Sequence, residues 1–132
     1  MKSFDSRVNA IFGGVCKKFN LLLFSARAED VFLRGGDFAL RFWLDRDGVS
    51  LTYVRRVGKD LREYPLGHYL VTNRLWVVAP EILDDLDRNL NSYRLTLETS
   101  CGDILSGDVS WLVRLSPYPV VLPSGIADLL QI

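Results

Sequence analysis

The stretch over residues 37–56 limits what this chain can fold into more than any other part of it. Apolar residues recur at every second position from Phe38 to Leu44 and again from Val49 to Tyr53, the period that places strand side chains on one face. Between the two runs lies Asp-Arg-Asp-Gly, and its last residue, Gly48, can adopt the positive φ that a short hairpin turn needs. The pattern predicts a β-hairpin with one apolar face, which another layer must cover.

Helical periodicity on both sides of this hairpin predicts the covering layer. Apolar residues over positions 4–19 fall on one helical stripe, with Ser3 as the predicted N-cap. A second stripe follows Pro80 and continues to about Ser92 or beyond. Short apolar runs between residues 21 and 33 predict further strands. The predicted fold class is α+β: an antiparallel meander of three or four strands over residues 21–56, packed against the N-terminal helix and the helix starting at Pro80.

Smaller elements follow from local signals. Pro65 suits the start of a helix, and a short helix is predicted over residues 66–73. Residues 75–78 fit either a short strand or the entry to the next helix, and residues 95–98 fit either an extension of that helix or a strand. A last short helix is predicted over residues 125–130. A chain of 132 residues fits one domain, residues 1–132.

The charges are balanced overall but unevenly spread. Residues 1–66 carry twelve basic and eight acidic residues, whereas residues 67–132 carry four basic and eight acidic ones. A net charge of zero disfavours a strongly basic nucleic-acid binder, and no direct nucleic-acid contact is expected. The small basic cluster of Arg55, Arg56, Lys59 and Arg62 fits either a solvated strand end, which the zero net charge favours, or a weak RNA-binding surface.

Metal and cofactor chemistry finds little support in the residue types. His68 is the only histidine, and Cys16 and Cys101 are the only cysteines, too few and too scattered for a zinc tetrad. No phosphate-binding glycine motif occurs, so no cofactor and no metal are expected. Two cysteines do not require a disulfide, and Cys16 falls on the apolar stripe, where it should be buried. With no signal peptide and no membrane-spanning stretch in the sequence, a cytoplasmic location without membrane contact is expected.

Acidic residues are the strongest functional candidates. They are concentrated near the start of the second long helix and in the loop after it: Glu81, Asp84, Asp85, Asp87, Asp103 and Asp108. A patch of this kind would attract a basic protein partner and speed association. The alternative is a solvated acidic face, in which the first acids complement the helix dipole. Paired carboxylates for catalysis would need an enclosing cleft.

Two short stretches carry a resemblance to a known family. The segment Leu-Ser-Gly-Asp-Val-Ser-Trp-Leu over residues 105–112 resembles a Leu-x-Gly-Asp-[Phe/Val]-Ser-x-Leu pattern of small bacterial immunity proteins. The hairpin over residues 42–54 is similar to their central sheet. These proteins are cytosolic antidotes of polymorphic toxins, including contact-dependent growth inhibition systems. The resemblance implies a non-enzymatic inhibitor of one cognate toxin domain, often a nuclease, with structural roles for Leu105, Gly107, Trp111 and Leu112.

The preferred hypothesis is therefore an immunity protein without catalysis of its own, which binds a basic toxin domain through its acidic helix and loop. The rival hypothesis is a small ligand-binding or enzymatic domain with Trp43, Tyr53 and Trp76 lining a pocket. Aromatic residues at these spacings are more often part of a core.

Overall fold

A five-stranded antiparallel sheet forms the centre of the protein. The structure is a computed structural model, and it describes residues 3–132. The strands follow the chain order across the sheet, and this confirms the predicted α+β class and the predicted meander. The elements in order are α1 (Phe4–Phe19), β1 (Leu22–Arg27), β2 (Asp30–Arg34), β3 (Phe38–Asp45), β4 (Gly48–Val57), β5 (Asp60–Tyr64), α2 (Leu66–Asn73), α3 (Asp85–Ser100), α4 (Gly102–Leu105), a 3₁₀ helix (Ser110–Arg114) and α5 (Ser124–Leu130).

The predicted central hairpin is confirmed as β3 and β4. Asp45 pairs with Gly48, so residues 46 and 47 alone form the turn, and Gly48 has a φ of +120°. The Asp45 carboxylate accepts hydrogen bonds from the Asp47 N–H at 2.8 Å and from the Ser50 hydroxyl at 3.2 Å. These bonds hold the turn and set the register that places Phe42 opposite Leu51.

The predicted end of the sheet at residue 56 is wrong. The chain makes a second two-residue turn at Gly58 and Lys59, where Gly58 has a φ of +65°, and returns as β5. Strand β5 stops at Tyr64 because Pro65 follows it, and proline lacks the N–H that a ladder needs. The first half of β4 therefore extends beyond β5.

One face of the sheet carries the main core. Helices α1 and α3 cover it, as predicted, together with α2 and the 3₁₀ helix. Phe12 of α1 meets Phe42 with ring centroids 4.7 Å apart, and Tyr53 lies in the same layer with no exposed surface. Both cysteines are free: Cys101 is buried, but Cys16 is only half-buried, contrary to the sequence-based expectation. Burial raises the pKa of both thiols.

The helix predicted to start at Pro80 starts at Asp85 instead and runs to Ser100. Asp84 is its N-cap, and its carboxylate accepts the Asp87 N–H at 2.8 Å, whereas Pro80 belongs to the preceding irregular segment. The helix thereby includes residues 95–98. Residues 75–79 form neither a strand nor a helix. Two of their backbone N–H groups donate to side-chain hydroxyls of α3.

Two buried hydroxyls of α3 hold that segment. Thr96 accepts the Val77 N–H at 2.9 Å, and Ser92 accepts the Ala79 N–H at 2.9 Å. A polar side chain is tolerated in the interior when its hydrogen bonds are satisfied. The segment therefore lies extended along α3.

The C-terminal residues cover part of the opposite face of the sheet. The Tyr118 N–H donates to the Glu63 carbonyl, and the Leu122 N–H donates to the Leu61 carbonyl. These hydrogen bonds hold residues 118–122 alongside β5. Helix α5 then packs Leu130 into a second, smaller core that contains Ala39 and Val54. Within residues 3–132 no helix is both long enough and apolar enough to span a bilayer.

Three residues of the segment 105–112 have structural roles in this fold. Gly107 has a φ of +92°, a region that favours glycine, in the turn after α4. Leu105 and Trp111 are buried, and the Trp111 ring meets those of Tyr53 and Tyr69 with centroids 4.9 Å apart in each pair. Residues 106 and 108–110 are exposed, and Leu112 is half-buried.

A close approach at Gly35 generates a stability prediction. A Cβ at Gly35 would overlap the buried Phe38 ring, whereas a Cβ at Gly36 meets nothing within 4 Å. Gly35→Ala should therefore lower the free energy of unfolding by about 1–3 kcal/mol, the usual cost of overpacking. The matched control Gly36→Ala should stay within about 0.5 kcal/mol of the parent protein. Urea unfolding measures both, and equal stabilities would contradict the packing at Phe38.

A second prediction concerns alkaline pH. Burial raises the pKa of the Tyr53 phenol from 10.0 to about 12. The folded protein thus holds this proton more tightly than the unfolded chain, and the resulting stability is present below pH 10 and is lost as the pH rises toward 12. As the pH rises from 10 to 12, the free energy of unfolding of Tyr53→Phe should fall less than that of the parent protein, because phenylalanine has no proton to lose. Equal losses in urea unfolding across the interval would contradict the prediction.

Candidate protein-binding groove

Three adjoining cavities lie where the β3–β4 turn, α2 and the first half of α3 meet. Their volumes are about 360, 490 and 570 Å³. The first shares Asp85 and Asn89 with the second, and the second shares Tyr93 with the third. We call the three together the hairpin groove. Its position follows from the fold, because the first half of β4 extends beyond β5 and α3 crosses beside it.

Aromatic side chains form much of the groove wall. Trp76 packs edge-on against Tyr93, with ring centroids 5.5 Å apart. The Tyr93 hydroxyl donates to the Val49 carbonyl at 3.2 Å, and this bond ties α3 to the edge of β4. Burial raises the pKa of Tyr93, so the phenol keeps its proton at neutral pH. The wall therefore combines packed aromatic rings with a few polar groups, as in sites that bind other molecules.

Carboxylates outnumber cationic groups in the groove lining. The four carboxylates are those of Asp45, Asp47, Glu63 and Asp85. The two guanidinium groups are those of Arg46 and Arg88, and the His68 imidazole also lines the groove. Within residues 3–132 no lysine or arginine forms a salt bridge with Asp47 or Asp85. Uncompensated carboxylates on a concave surface attract cationic partners.

Exposed apolar side chains border the groove. Leu75, Val78 and Ile82, which precede α3, are exposed to solvent. Val78 and Val71 of α2, which are 57% and 55% exposed, line the central cavity. We call Val71 and Val78 the apolar rim. An exposed apolar patch beside charged residues is typical of a protein-binding surface.

Two of the predicted acids serve the structure. Arg7 of α1 binds Asp84 at 2.9 Å and Asp87 at 3.0 Å, so these pairs join α1 to the start of α3. The Asp87 backbone N–H and the Arg7 guanidinium hold the pKa of Asp84 below its ordinary value. A partner would therefore meet carboxylates that already have a cation beside them.

Asp103 and Asp108 lie beyond the other end of α3, which contains 16 residues and is about 24 Å long. Asp103 binds Arg74 through two hydrogen bonds of 2.9 Å, and this guanidinium lowers its pKa. Asp108 accepts the Ser110 N–H and hydroxyl, and the backbone bond is the main cause of its lowered pKa. The six predicted acids therefore do not form one patch.

Glu81 and Asp85 are the predicted acids that remain most available. The Glu81 side chain is 88% exposed and lies 3.9 Å from Arg88, a loose pair. Asp85 lines two of the cavities. Sequence reasoning missed Asp45 and Asp47, which the hairpin turn brings to the same groove. Their signal was the Asp-Arg-Asp-Gly turn itself, but only tertiary packing places that turn beside α3.

The aromatic residues of the rival hypothesis do not share one pocket. Tyr53 has no exposed surface, while Trp43 and Trp76 line different cavities of the hairpin groove. His68 is exposed at the third cavity. Within the described residues no group of three His, Cys, Asp or Glu side chains is arranged to hold a metal ion.

The basic cluster is partly used within the fold. Arg56 donates to the Ile132 carbonyl at 2.7 Å and to the Lys59 carbonyl at 2.8 Å, so it fastens the end of the chain to the sheet. Arg55 lies 3.9 Å from Asp37. These contacts engage two of the four residues of the cluster, Arg55 and Arg56, within the fold.

Comparisons of the chain with protein-family models, with curated proteins and with solved structures found no match.

The contrast between Asp84 and Asp85 generates a third prediction. Asp84→Ala removes the helix cap and one partner of Arg7, and should lower Tm by about 3–5 °C. Within residues 3–132 Asp85→Ala removes no such bond, and it should change Tm by about 1 °C or less. Thermal unfolding followed by circular dichroism at neutral pH measures both. Similar losses for the two variants would contradict the structural role of Asp84.

Proposed function

We propose that this protein is a bacterial immunity protein, which binds a basic cognate toxin domain and neutralises it without catalysis of its own. The observation that supports the proposal is the joint position, at one groove, of the apolar rim and of Asp47 and Asp85, which have no salt-bridge partner within residues 3–132. Apolar side chains in the centre of an interface supply affinity, and surrounding charges supply speed of encounter and specificity. The leading interface is the hairpin groove with its apolar rim.

The proposed interface keeps part of the acidic surface predicted from the sequence. Glu81 and Asp85 stay in it, and Asp45 and Asp47 join it. Asp84 and Asp87 lie beside it with Arg7 as their partner, so their contribution to long-range attraction is partly cancelled. Asp103 and Asp108 belong to a different surface. The proposed toxin, often a nuclease in such systems, would present basic side chains around an apolar contact.

Inhibition by binding suits the form of the groove. Three of its four carboxylates, those of Asp45, Asp47 and Asp85, lie exposed on the turn and at the start of α3, where water remains in contact with them. Acid–base catalysis relies on a positioned and enclosed group with a tuned pKa. The free thiols support the cytoplasm as the proposed place of action.

A small-ligand-binding domain is the second candidate. The cavity beside Trp43, at about 570 Å³, has the size of pockets that hold small molecules. This candidate predicts a retained small molecule after purification, whereas the immunity proposal predicts a stoichiometric protein partner.

The proposal is tested by co-expression with the product of the gene immediately upstream in the source organism. Expression of that product alone should arrest growth, and co-expression of this protein should restore growth and yield a stoichiometric complex. Mass spectrometry of the native protein checks in parallel for a retained ligand. Growth arrest without rescue and without a complex would overturn the proposal, and a retained ligand would favour the second candidate.

Charge reversal at the groove generates the fourth prediction. The double variant Glu81→Lys/Asp85→Lys should associate with the basic partner about tenfold more slowly, because electrostatic attraction accelerates encounter. Stopped-flow fluorescence at low ionic strength measures the association rate. Added salt should reduce the difference between variant and parent protein, since salt screens exposed charges.

A matched control changes the same total charge elsewhere. Glu98 lies exposed on the last turns of α3, and Asp128 lies exposed on α5 across the sheet. Glu98→Lys/Asp128→Lys should slow association much less than the groove variant. Equal slowing by the two double variants would show that net charge matters and the groove does not.

A further inference from the structure

The third cavity of the hairpin groove contains a single carboxylate in an otherwise aromatic and neutral wall. Glu63 reaches it from β5, on the face of the sheet that the C-terminal residues partly cover. Trp43 and Tyr118 form parts of the wall, and Ser50, Thr52 and His68 are among its polar residues. The Glu63 side chain is only 13% exposed, so its charge acts in a partly desolvated place.

The two oxygens of the Glu63 carboxylate differ in their partners. Oε1 accepts from Arg41 at 2.8 Å and from the Thr52 hydroxyl at 2.7 Å. Within the part of the chain that the structure describes, no group donates to Oε2, and this atom is not among the buried polar atoms without a partner. Oε2 therefore keeps some exposed surface and can accept one further donor, and Glu63 is one of the residues that line the cavity.

Charge balance around Arg41 leaves one negative charge. Arg41 also holds Asp30 through two hydrogen bonds of 2.9 and 2.8 Å, so two carboxylates share one guanidinium. The Arg41 guanidinium lies 4.7 Å from the centre of the Trp43 ring, which fixes that ring beside the cluster. An added cation at Oε2 would bring the cluster to neutrality.

We propose that this cavity is a subsite for a lysine side chain of the protein partner. A guanidinium binds a carboxylate best through two parallel bonds, but Oε1 is already occupied and leaves one oxygen. An ammonium group acts as a point charge and needs only one acceptor. The aliphatic stem of lysine packs against the aromatic rings of Trp43 and Tyr118 while the charged end reaches Glu63. The inference rests on the proposed function, because it assigns one residue type to the basic partner.

Capped amino acids test the subsite directly, without the partner. N-acetyl-lysine methylamide, N-acetyl-arginine methylamide and N-acetyl-norleucine methylamide are titrated separately into ¹⁵N-labelled full-length protein. The indole N–H signal of Trp43 reports occupancy. Norleucine has the aliphatic stem without the ammonium group. We expect the lysine probe to bind at least about fivefold more tightly than the norleucine probe, and also more tightly than the arginine probe.

Glu63→Gln should bring the lysine probe to the affinity of the norleucine probe. The amide of this variant would keep an oxygen for Arg41 and Thr52, so the sheet retains these bonds. Glu98→Gln is the matched control, because Glu98 also pairs with an arginine but lies outside the groove. Tyr118→Ala, at a 44% exposed position, provides a second variant and should weaken the lysine and norleucine probes alike.

Three results would overturn the lysine subsite. These are no saturable shift of the Trp43 signal, equal binding of lysine and norleucine, and an unchanged lysine preference in Glu63→Gln. A stronger response to the arginine probe would assign the cavity to a different cation and would also count against the proposal. Each of these results leaves the co-expression test untouched, so the subsite can fail while the proposed function stands, and the reverse also holds.

Discussion

Burial of the β3–β4 hairpin on both faces is the constraint on which the rest of the structure depends. Phe42 and Tyr53 require a helical layer on one side, and Ala39 and Val54 require cover on the other. Helices α1 and α3 supply the first layer, and the C-terminal segment with α5 supplies the second. On this second face Arg41 pairs with Asp30 and Glu63, so these partly buried charges compensate one another.

Arginine side chains fasten the helical layer, and this decides which acids remain available. Arg7 joins α1 to the start of α3, and Arg74 joins the end of α2 to Asp103 and to the Ser100 carbonyl. Acids with such partners stabilise the fold and contribute less to attraction of another protein. Asp47 and Asp85 have no such partner within the described residues.

The hairpin groove unites the features on which the proposed function depends. Strand β4 extends past β5 because Pro65 ends the ladder, and α3 then crosses beside the uncovered part. The same geometry gives the groove an apolar rim, an acidic turn and a partly desolvated carboxylate at Glu63. A basic partner with an apolar contact would match all three.

The sequence by itself determined the elements whose signals are local. Period-two alternation and Gly48 established the central hairpin, and helical periodicity established α1 at its observed bounds. The start of α3 was misplaced because proline and the Asp84 cap are both starting signals, and the observed cap bond selects Asp84. Strand β5 was missed because its five residues alternate weakly and gain their order from pairing with β4.

Only the tertiary structure decided which acids face a groove and which serve the fold. In the sequence Asp84, Asp85 and Asp87 look equivalent. In the structure of residues 3–132, Arg7, which is distant along the chain, pairs with Asp84 and Asp87 and not with Asp85. The Asp47 turn likewise reaches Asp85 only through the packing of α3 on the sheet. Local propensity sets the hairpin and α1, whereas pairing between distant charges depends on how the layers assemble.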